Sequence, residues 1–256
     1  MILKQIVEST KIRVEKSKDG RTWQQLEKQL TGDKTRPFAA ALKHENRLGL
    51  IAEIKKSSPS KGLIAPDFDC GKQAEIYKNS LADCLSVLTE PEYFGGQLSD
   101  LTEAREISGK PCIRKDFIID EWQIVEARLA GADCILLIAA ILTDWQLRAF
   151  KHMASRYGMD ALVEIHDETE AKRAVAGGST FIGINNRNLN TFEVDLATTE
   201  RLRPLLPAEA IVVGESGVST REDAERLKNA GVDALLVGES LMKSGDAASA
   251  IAELLR

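Results

Sequence analysis

Leu50-Ile51-Ala52-Glu53-Ile54-Lys55 is a short apolar run that ends on charge. The same ending recurs along the chain. Pro111-Cys112-Ile113 runs into Arg114-Lys115-Asp116, Ala161-Leu162-Val163 into Glu164, Phe181-Ile182-Gly183-Ile184 into Asn185, and Ile211-Val212-Val213-Gly214 into Glu215. One such ending is an ordinary strand reaching solvent. Repeated, with helix-like stretches between, it predicts parallel strands that deliver polar groups to one rim, as at the C-terminal face of a (β/α)8 barrel.

Working outward, the strands are expected at 50–55, 84–88, 111–115, 133–138, 160–165, 180–185, 210–215 and 234–238. Amphipathic stretches at 71–80, 97–108, 120–130, 143–157, 168–176, 195–203, 220–229 and 239–254 alternate with them. Strict alternation predicts an α/β fold with a wholly parallel sheet, a (β/α)8 TIM barrel, with a doubly wound open sheet as the competitor. A degenerate repeat favours closure. Ala130-Gly131-Ala132-Asp133-Cys134-Ile135-Leu136-Leu137 resembles Ala230-Gly231-Val232-Asp233-Ala234-Leu235-Leu236-Val237, and Gly177-Gly178-Ser179-Thr180-Phe181-Ile182 is a looser copy. In each, a glycine suited to the left-handed end of a helix is followed closely by a strand.

Residues 1–48 read as an N-terminal helical extension packed on a barrel over 49–256, a single domain overall. Ile2, Leu3, Ile6, Val7 and Val14 recur at helical spacing. Thr22 and Gln25 stand in capping-box positions for a second helix through Leu30, and Pro37 opens a third. Their apolar stripe and position raise the hypothesis that these helices lie over the barrel mouth and help to close it.

The 256 residues are 43% hydrophobic and carry a net charge of −5, so no global basic field exists to recruit nucleic acid or anionic lipid. An acidic substrate then requires a local cluster of cations. The four cysteines, Cys70, Cys84, Cys112 and Cys134, lie far apart and read as reduced core thiols, with no metal or redox cofactor expected. The chain start carries charges inside its apolar stretch, which fits neither a signal peptide nor a membrane span, and a cytoplasmic location is expected.

Several rim groups suit chemistry. Glu53 and Lys55, two apart, face the same side of a strand, where they form either a strand-end ion pair or part of a site. The loop Lys56-Ser57-Ser58-Pro59-Ser60-Lys61-Gly62 is rich in hydroxyls and basic at both ends, which suits a phosphate or carboxylate. Lys115, followed by Asp116-Phe117, is suited to act as a general acid or a Schiff-base nucleophile. Glu164 points the way Leu162 does, so partial desolvation is expected to raise its pKa for proton transfer. His166 is read as structural, as are His44 and His152 in helices. Ser219 and Glu222 form an expected capping box beyond Gly214-Glu215-Ser216-Gly217. Glycines after the seventh and eighth strands, at Gly217 and Gly238, fit a backbone phosphate cradle, with the N–H of Glu239 facing the anion. Phe94 and Phe117 are aromatic candidates for a ligand ring, whereas Trp23, Trp122 and Trp145 read as packing residues.

These segments together resemble the indole-3-glycerol-phosphate synthase family of tryptophan biosynthesis. The resemblance spans nearly the whole chain. It rests on Arg36-Pro37-Phe38, Ile51-Ala52-Glu53-Ile54-Lys55-Lys56-Ser57-Ser58-Pro59-Ser60-Lys61-Gly62, Leu85-Ser86-Val87-Leu88-Thr89-Glu90, Arg114-Lys115-Asp116-Phe117-Ile118, Gly183-Ile184-Asn185-Asn186-Arg187, Glu215-Ser216-Gly217 and Val237-Gly238-Glu239-Ser240-Leu241-Met242. It implies closure of the indole ring of 1-(2-carboxyphenylamino)-1-deoxyribulose 5-phosphate, with loss of carbon dioxide and water and without metal or cofactor. By position, Lys115 is the implied general acid, Glu164 the general base and Lys55 the partner of the anthranilate carboxylate. Glu53, Asn185 and Glu215 are implied positioning groups, with Arg187 beside them. Pro59, Phe94, Phe117 and Leu136 are implied to hold the anthranilate ring. Ser58, Ser216, Gly217, Gly238 and Glu239 are implied to hold the phosphate. A small molecule bearing a carboxylate and a phosphate is the expected partner, with neither nucleic acid nor membrane, and other tryptophan-pathway enzymes are admitted as partners. Ala65, Cys70 and the glycine-free stretch 79–83 depart from the family pattern, all outside the implied acid, base and phosphate positions.

Two other readings stand beside this one. A class I aldolase would use a barrel lysine as a Schiff base, and a phosphate-binding barrel without catalysis would serve as a scaffold.

Overall fold

The computed structural model describes residues 2–189 and 191–256. Met1, the first residue of the expected extension, lies outside the described residues. Among the described residues, eight parallel strands close into a barrel in sequential order. They are β1 (Gly49–Ile54), β2 (Cys84–Leu88), β3 (Cys112–Lys115), β4 (Cys134–Ile138), β5 (Asp160–Ile165), β6 (Phe181–Asn185), β7 (Ile211–Glu215) and β8 (Ala234–Val237). Closure is made by pairing β8 with β1 from Gly49↔Ala234 to Ala52↔Val237. The open-sheet competitor is thereby excluded.

The helices are α1 (Ile2–Lys18), α2 (Trp23–Glu27), α3 (Phe38–Ala41), α4 (Cys70–Lys78), α5 (Leu98–Ser108), α6 (Glu121–Leu129), α7 (Asp144–Arg156), α8 (Glu168–Ala176), α9 (Ala197–Leu202), α10 (Arg221–Asn229), α11 (Glu239–Lys243) and α12 (Ala247–Leu254). The expected single helix over 239–254 is therefore two. Asp246 caps α12 by accepting from the Ser249 N–H at 3.0 Å, which stops the helix ahead of it. The α10 cap also sits one residue later than expected: the Thr220 hydroxyl accepts from the Asp223 N–H at 3.2 Å. The α2 helix is shorter than expected, although Gln25 does accept from the Thr22 N–H at 2.7 Å. His44 lies in a loop, not a helix.

Period-two alternation sorts the strand residues into two cores. Ile51, Ile113, Leu162, Val213 and Leu236 point inward, and Leu50, Ala52, Val163, Ile182 and Val212 point out under the helices. The inward set carries on by the same parity to Glu53, Lys115, Glu164 and Glu215 at the C-terminal rim. Burial of apolar side chains on both strand faces at about 25 cal/mol per Å2 is what holds such a barrel closed. The expectation that the N-terminal helices cover the mouth holds for α1, which lines the mouth cavity. It fails for α3, which plugs the opposite end of the barrel because Phe38 packs on Phe181 and the Ala39 N–H is held by Asp160. Phe38 is fully buried, with its ring centroid 6.1 Å from that of Phe181. Trp122 is buried as expected, but Trp145 is 62% exposed, because the first turn of α7 presents it to solvent.

The N-terminal rim is held by aspartates. Asp83 accepts from the Leu50 N–H at 2.9 Å, Asp133 from the Cys112 N–H at 3.0 Å, and Asp233 from the Val212 N–H at 2.8 Å. Asp160 accepts from the Ala39 N–H at 2.9 Å and so seats the plug. Two of these, Asp133 and Asp233, are the aspartates of the sequence repeat, and its glycines Gly131 and Gly231 have φ of +88° and +90°. Among the described residues, no helix is long and apolar enough to cross a membrane.

Candidate active site

All the rim residues singled out from the sequence line one cavity of about 560 Å3 at the C-terminal mouth. Strand register explains their meeting: Glu164 pairs with Gly183 across β5 and β6, and Asn185 with Glu215 across β6 and β7. The first turn of α1 reaches the same cavity through Ile2, Leu3 and Ile6.

The centre of the cavity is a lysine between two carboxylates. Lys115 Nζ donates to Glu215 Oε2 at 2.6 Å and to Glu164 Oε2 at 2.9 Å. Burial opposes the ammonium, but Glu164, Glu215 and Glu53 outweigh it and hold the Lys115 pKa well above its usual value. A lysine so held is an ammonium, a proton donor and not a free amine. Glu164 behaves opposite to the sequence expectation. Burial does push its pKa up, but the Lys115 ammonium and the His166 imidazole pull it well below the ordinary carboxylate range. The raised carboxyl is Glu215, pushed up to about 7 by burial and by the charge of Glu164, against the pull of Lys115. Like charges sharing one site divide in this way.

Beside this triad, Lys55 Nζ donates to Glu53 Oε1 at 2.5 Å, and Ser86 donates to Glu53 Oε2 at 3.3 Å. Lys55 follows the last residue of β1, and its side chain keeps 16% exposure at the cavity wall. Two glycines make the carboxylates fit. A Cβ built on Gly183 would overlap Glu215 Oε1, and one built on Gly238 would overlap Glu53 Oε1.

One wall is apolar. Phe94 and Phe117 lie with ring centroids 6.0 Å apart, and Pro59, Leu136 and Ile138 join the lining. The opposite side is basic. Lys243, Lys61 and Arg187 lie 2.8, 3.7 and 3.7 Å from the Glu239 carboxylate. Burial raises the Glu239 pKa less than these cations lower it. Next to them, Ser216 and Gly217 take successive left-handed conformations, with φ of +63° and +89°. Strain of this kind at a non-glycine residue gathers at functional sites. Asn185 Oδ1 accepts from the Arg187 N–H at 3.0 Å, which turns its amide toward the strand-six loop.

A family model described as indole-3-glycerol phosphate synthase matches residues 3–254. An indole-3-glycerol phosphate synthase of Acetivibrio thermocellus is 46% identical over 256 residues, covering 99% of this chain and 98% of the relative. That of Desulfotalea psychrophila is 50% identical over 221 residues, covering 86% of this chain and 85% of the relative. The chain belongs to the indole-3-glycerol phosphate synthase family. A solved structure of 3-hexulose-6-phosphate synthase superposes with a TM-score of 0.61 at 18% identity, over 81% of this chain and 98% of that one, a likeness of fold alone.

Within this member of the indole-3-glycerol phosphate synthase family, the structure also gathers residues that the sequence reading passed over. His166 Nε2 lies 3.2 Å from Glu164 Oε1, and its Nδ1 lies 3.0 Å from Glu170 Oε2. The signal was present in the four-residue spacing of His166 and Glu170, but only the fold brings Glu164 to the same ring. Lys243 joins the basic wall because α11 ends there. Behind Lys115, Asp116 accepts from Arg13 Nη2 at 2.7 Å, from Arg114 Nη2 at 3.0 Å and from Thr89 at 2.7 Å. That network ties α1 to the end of β3 through groups distant in sequence.

Proposed function

We propose that the chain closes the indole ring of 1-(2-carboxyphenylamino)-1-deoxyribulose 5-phosphate, releasing carbon dioxide and water and yielding indole-3-glycerol phosphate, as a lyase of tryptophan biosynthesis. The observation that carries this reading is the Lys115 ammonium between Glu164 and Glu215, set between an apolar wall and a basic one. The substrate has the matching order: an aromatic ring with a carboxylate, a carbonyl carbon to be attacked, and a phosphate at the far end.

Lys115 is the general acid. It protonates the ribulose carbonyl oxygen as the ring carbon attacks, and removing such a group costs on the order of a hundred- to ten-thousandfold in rate. Glu164 is the general base. Its low proton affinity keeps it ionised in the resting site, and its basicity rises at the moment it is needed. When Lys115 gives up its proton, Glu164 loses the cation that held it down, so the acid step primes the base step. Glu215 and Glu53 orient the two lysines, and Lys55 receives the anthranilate carboxylate. Asn185 and Arg187 hold the strand-six side of the substrate. Pro59, Phe94, Phe117 and Leu136 take the ring. Ser58, Ser216, Gly217, Gly238 and the Glu239 N–H take the phosphate, with Lys61, Arg187 and Lys243 supplying the positive field.

The same geometry weighs against a Schiff-base aldolase, because a lysine held as ammonium by two carboxylates is a poor nucleophile. The four buried unpaired cysteines suit a reducing compartment, and the proposed location is the cytoplasm. The test is direct: the purified chain is mixed with the carboxyphenylamino-deoxyribulose phosphate, and indole absorbance and fluorescence are followed. Product formation that Lys115→Ala abolishes is the expected result. No indole signal from the wild-type chain overturns the reading.

A further inference from the structure

Glu164 has two oxygens with different partners. Oε2 accepts from Lys115, which faces the substrate side, while Oε1 lies 3.2 Å from His166 Nε2, a charge contact outside hydrogen-bond geometry. The imidazole is fixed from behind. Its Nδ1 lies 3.0 Å from Glu170 Oε2, and the main-chain N–H of His166 donates to the same oxygen at 2.8 Å. Glu170 itself sits in the first turn of α8, where its N–H donates to the cap residue Asp167 at 2.9 Å. A helix start thus holds a carboxylate, which holds a ring, which meets the second oxygen of the proposed base.

We propose that His166, clamped by Glu170, is a positioning residue that sets the orientation and charge environment of the Glu164 carboxylate. The inference rests on the reading of Glu164 as the general base. The positive ring beside Oε1 favours the present orientation of the ionised carboxylate, in which Oε2 meets Lys115 on the substrate side. Fixing a catalytic group through a second, orienting group is the logic of a base held by its own partner.

The electrostatics agree. Burial lowers the His166 pKa, but Glu164 and Glu170 together raise it to about 10, so the ring is an imidazolium near neutral pH. Other charges face it across a second cavity: Asp167 from the α8 cap, and Arg187, Glu193, Asp195 and Arg201 from the segment after β6. The two arginines do not discharge the ring, since Arg201 pairs with Asp195 at 3.1 Å and Arg187 lies 3.7 Å from Glu239. Lys115 stands on the far oxygen of Glu164.

The experiment measures kcat, KM and the pH dependence of kcat for His166→Ala, His166→Gln, Glu170→Gln and Glu164→Gln, each checked for fold by circular dichroism and thermal melting. For His166→Ala the expected result is kcat lower by about tenfold with KM within about twofold, and an acid limb of kcat displaced upward by about one pH unit. The sign follows from removing a cation: Glu164 then binds its proton more readily and is ionised only at higher pH. His166→Gln keeps an N–H donor without the charge, so it is expected to recover part of kcat and keep the displaced limb. Glu170→Gln frees the ring and is expected to act in the same direction with a smaller effect. In the Glu164→Gln background, His166→Ala is expected to cause no further loss.

Wild-type kcat and acid limb in folded His166→Ala overturn the proposal. So does the full loss persisting in the Glu164→Gln background, since His166 would then act elsewhere. If His166→Ala does not fold, unchanged kcat and limb in both His166→Gln and Glu170→Gln overturn it. A Glu164→Gln variant with wild-type kcat instead removes the base reading itself, a failure that the single variant separates from that of His166.

Discussion

The two rims of this barrel use the same side-chain chemistry to opposite ends. At the N-terminal rim, Asp83, Asp133, Asp160 and Asp233 each accept from a main-chain N–H, three of them at the start of a neighbouring strand and one on the plug. At the C-terminal rim, Glu53, Glu164 and Glu215 face lysines, and Glu215 Oε1 is buried without a hydrogen-bond partner. A carboxylate satisfied by the backbone is a staple. One that faces a lysine proton donor and keeps an unfilled acceptor is suited to proton chemistry, and the barrel keeps the two kinds a strand length apart.

Substitutions break this comparison in a definite order. Lys115→Ala is expected to lower kcat by about a thousandfold with KM within a few-fold and an intact fold, read from steady-state kinetics. At the other rim, Asp133→Ala is expected to cost about 3 kcal/mol of stability by urea denaturation, while the kcat of the folded fraction stays at the wild-type value. Its buried carboxylate also pairs with Arg105 at 3.1 Å and accepts from the Arg36 N–H at 2.7 Å, so its loss leaves several groups unpaired. Glu164→Gln is expected to lower kcat by about a hundredfold with little change in melting temperature.

Glu215 sharpens the contrast through pH. Its carboxyl binds a proton more tightly in the fold, at about 7, than at the ordinary value of 4.5. Its contribution to stability is therefore complete below about pH 4.5 and is lost as the pH rises through about 7. Glu215→Gln removes that dependence. The stability of the wild type relative to the variant is expected to fall by about 3 kcal/mol across this window, measured by denaturation at each pH. A flat difference would show that the proton resides elsewhere in the cluster. The smallest effect is expected at Asp233→Asn, about 1 kcal/mol of stability with unchanged kcat, because its single N–H contact lies at an exposed position.

Much of this was legible in the chain, and the part that was not has a common cause. Strand parity alone put Ile51 and Glu53, Ile113 and Lys115, Leu162 and Glu164 on shared faces, because a period of two is a local property. The repeated glycine-then-aspartate turn announced a repeated geometry in the same way. By contrast, the sign of the Glu164 shift depends on Lys115, 49 positions away, and on a histidine that looks isolated when read in line. Desolvation was a sound local expectation. It lost to charges that only closure of the barrel brings near. The clasp of Arg13 on Asp116 is hidden for the same reason, as is the use of α3 as a plug. The break at Asp246, though, was local and readable, since a capping aspartate after Gly245 stands within the stretch taken as one helix.

Gly183 and Gly238 carry a consequence for how such a site is mapped. Neither adopts a left-handed backbone, although Gly238 does stand at the junction of β8 and α11; each leaves the space into which a carboxylate oxygen of Glu215 or Glu53 extends. A scan that trims side chains to alanine would pass over both positions or count them as conservative. Yet adding one methyl group there would push Glu215 or Glu53 out of its place as surely as deleting it. The rim chemistry is thus partly encoded by atoms that are not present, and a library meant to redirect this barrel would need to hold those two vacancies fixed while it varies everything around them.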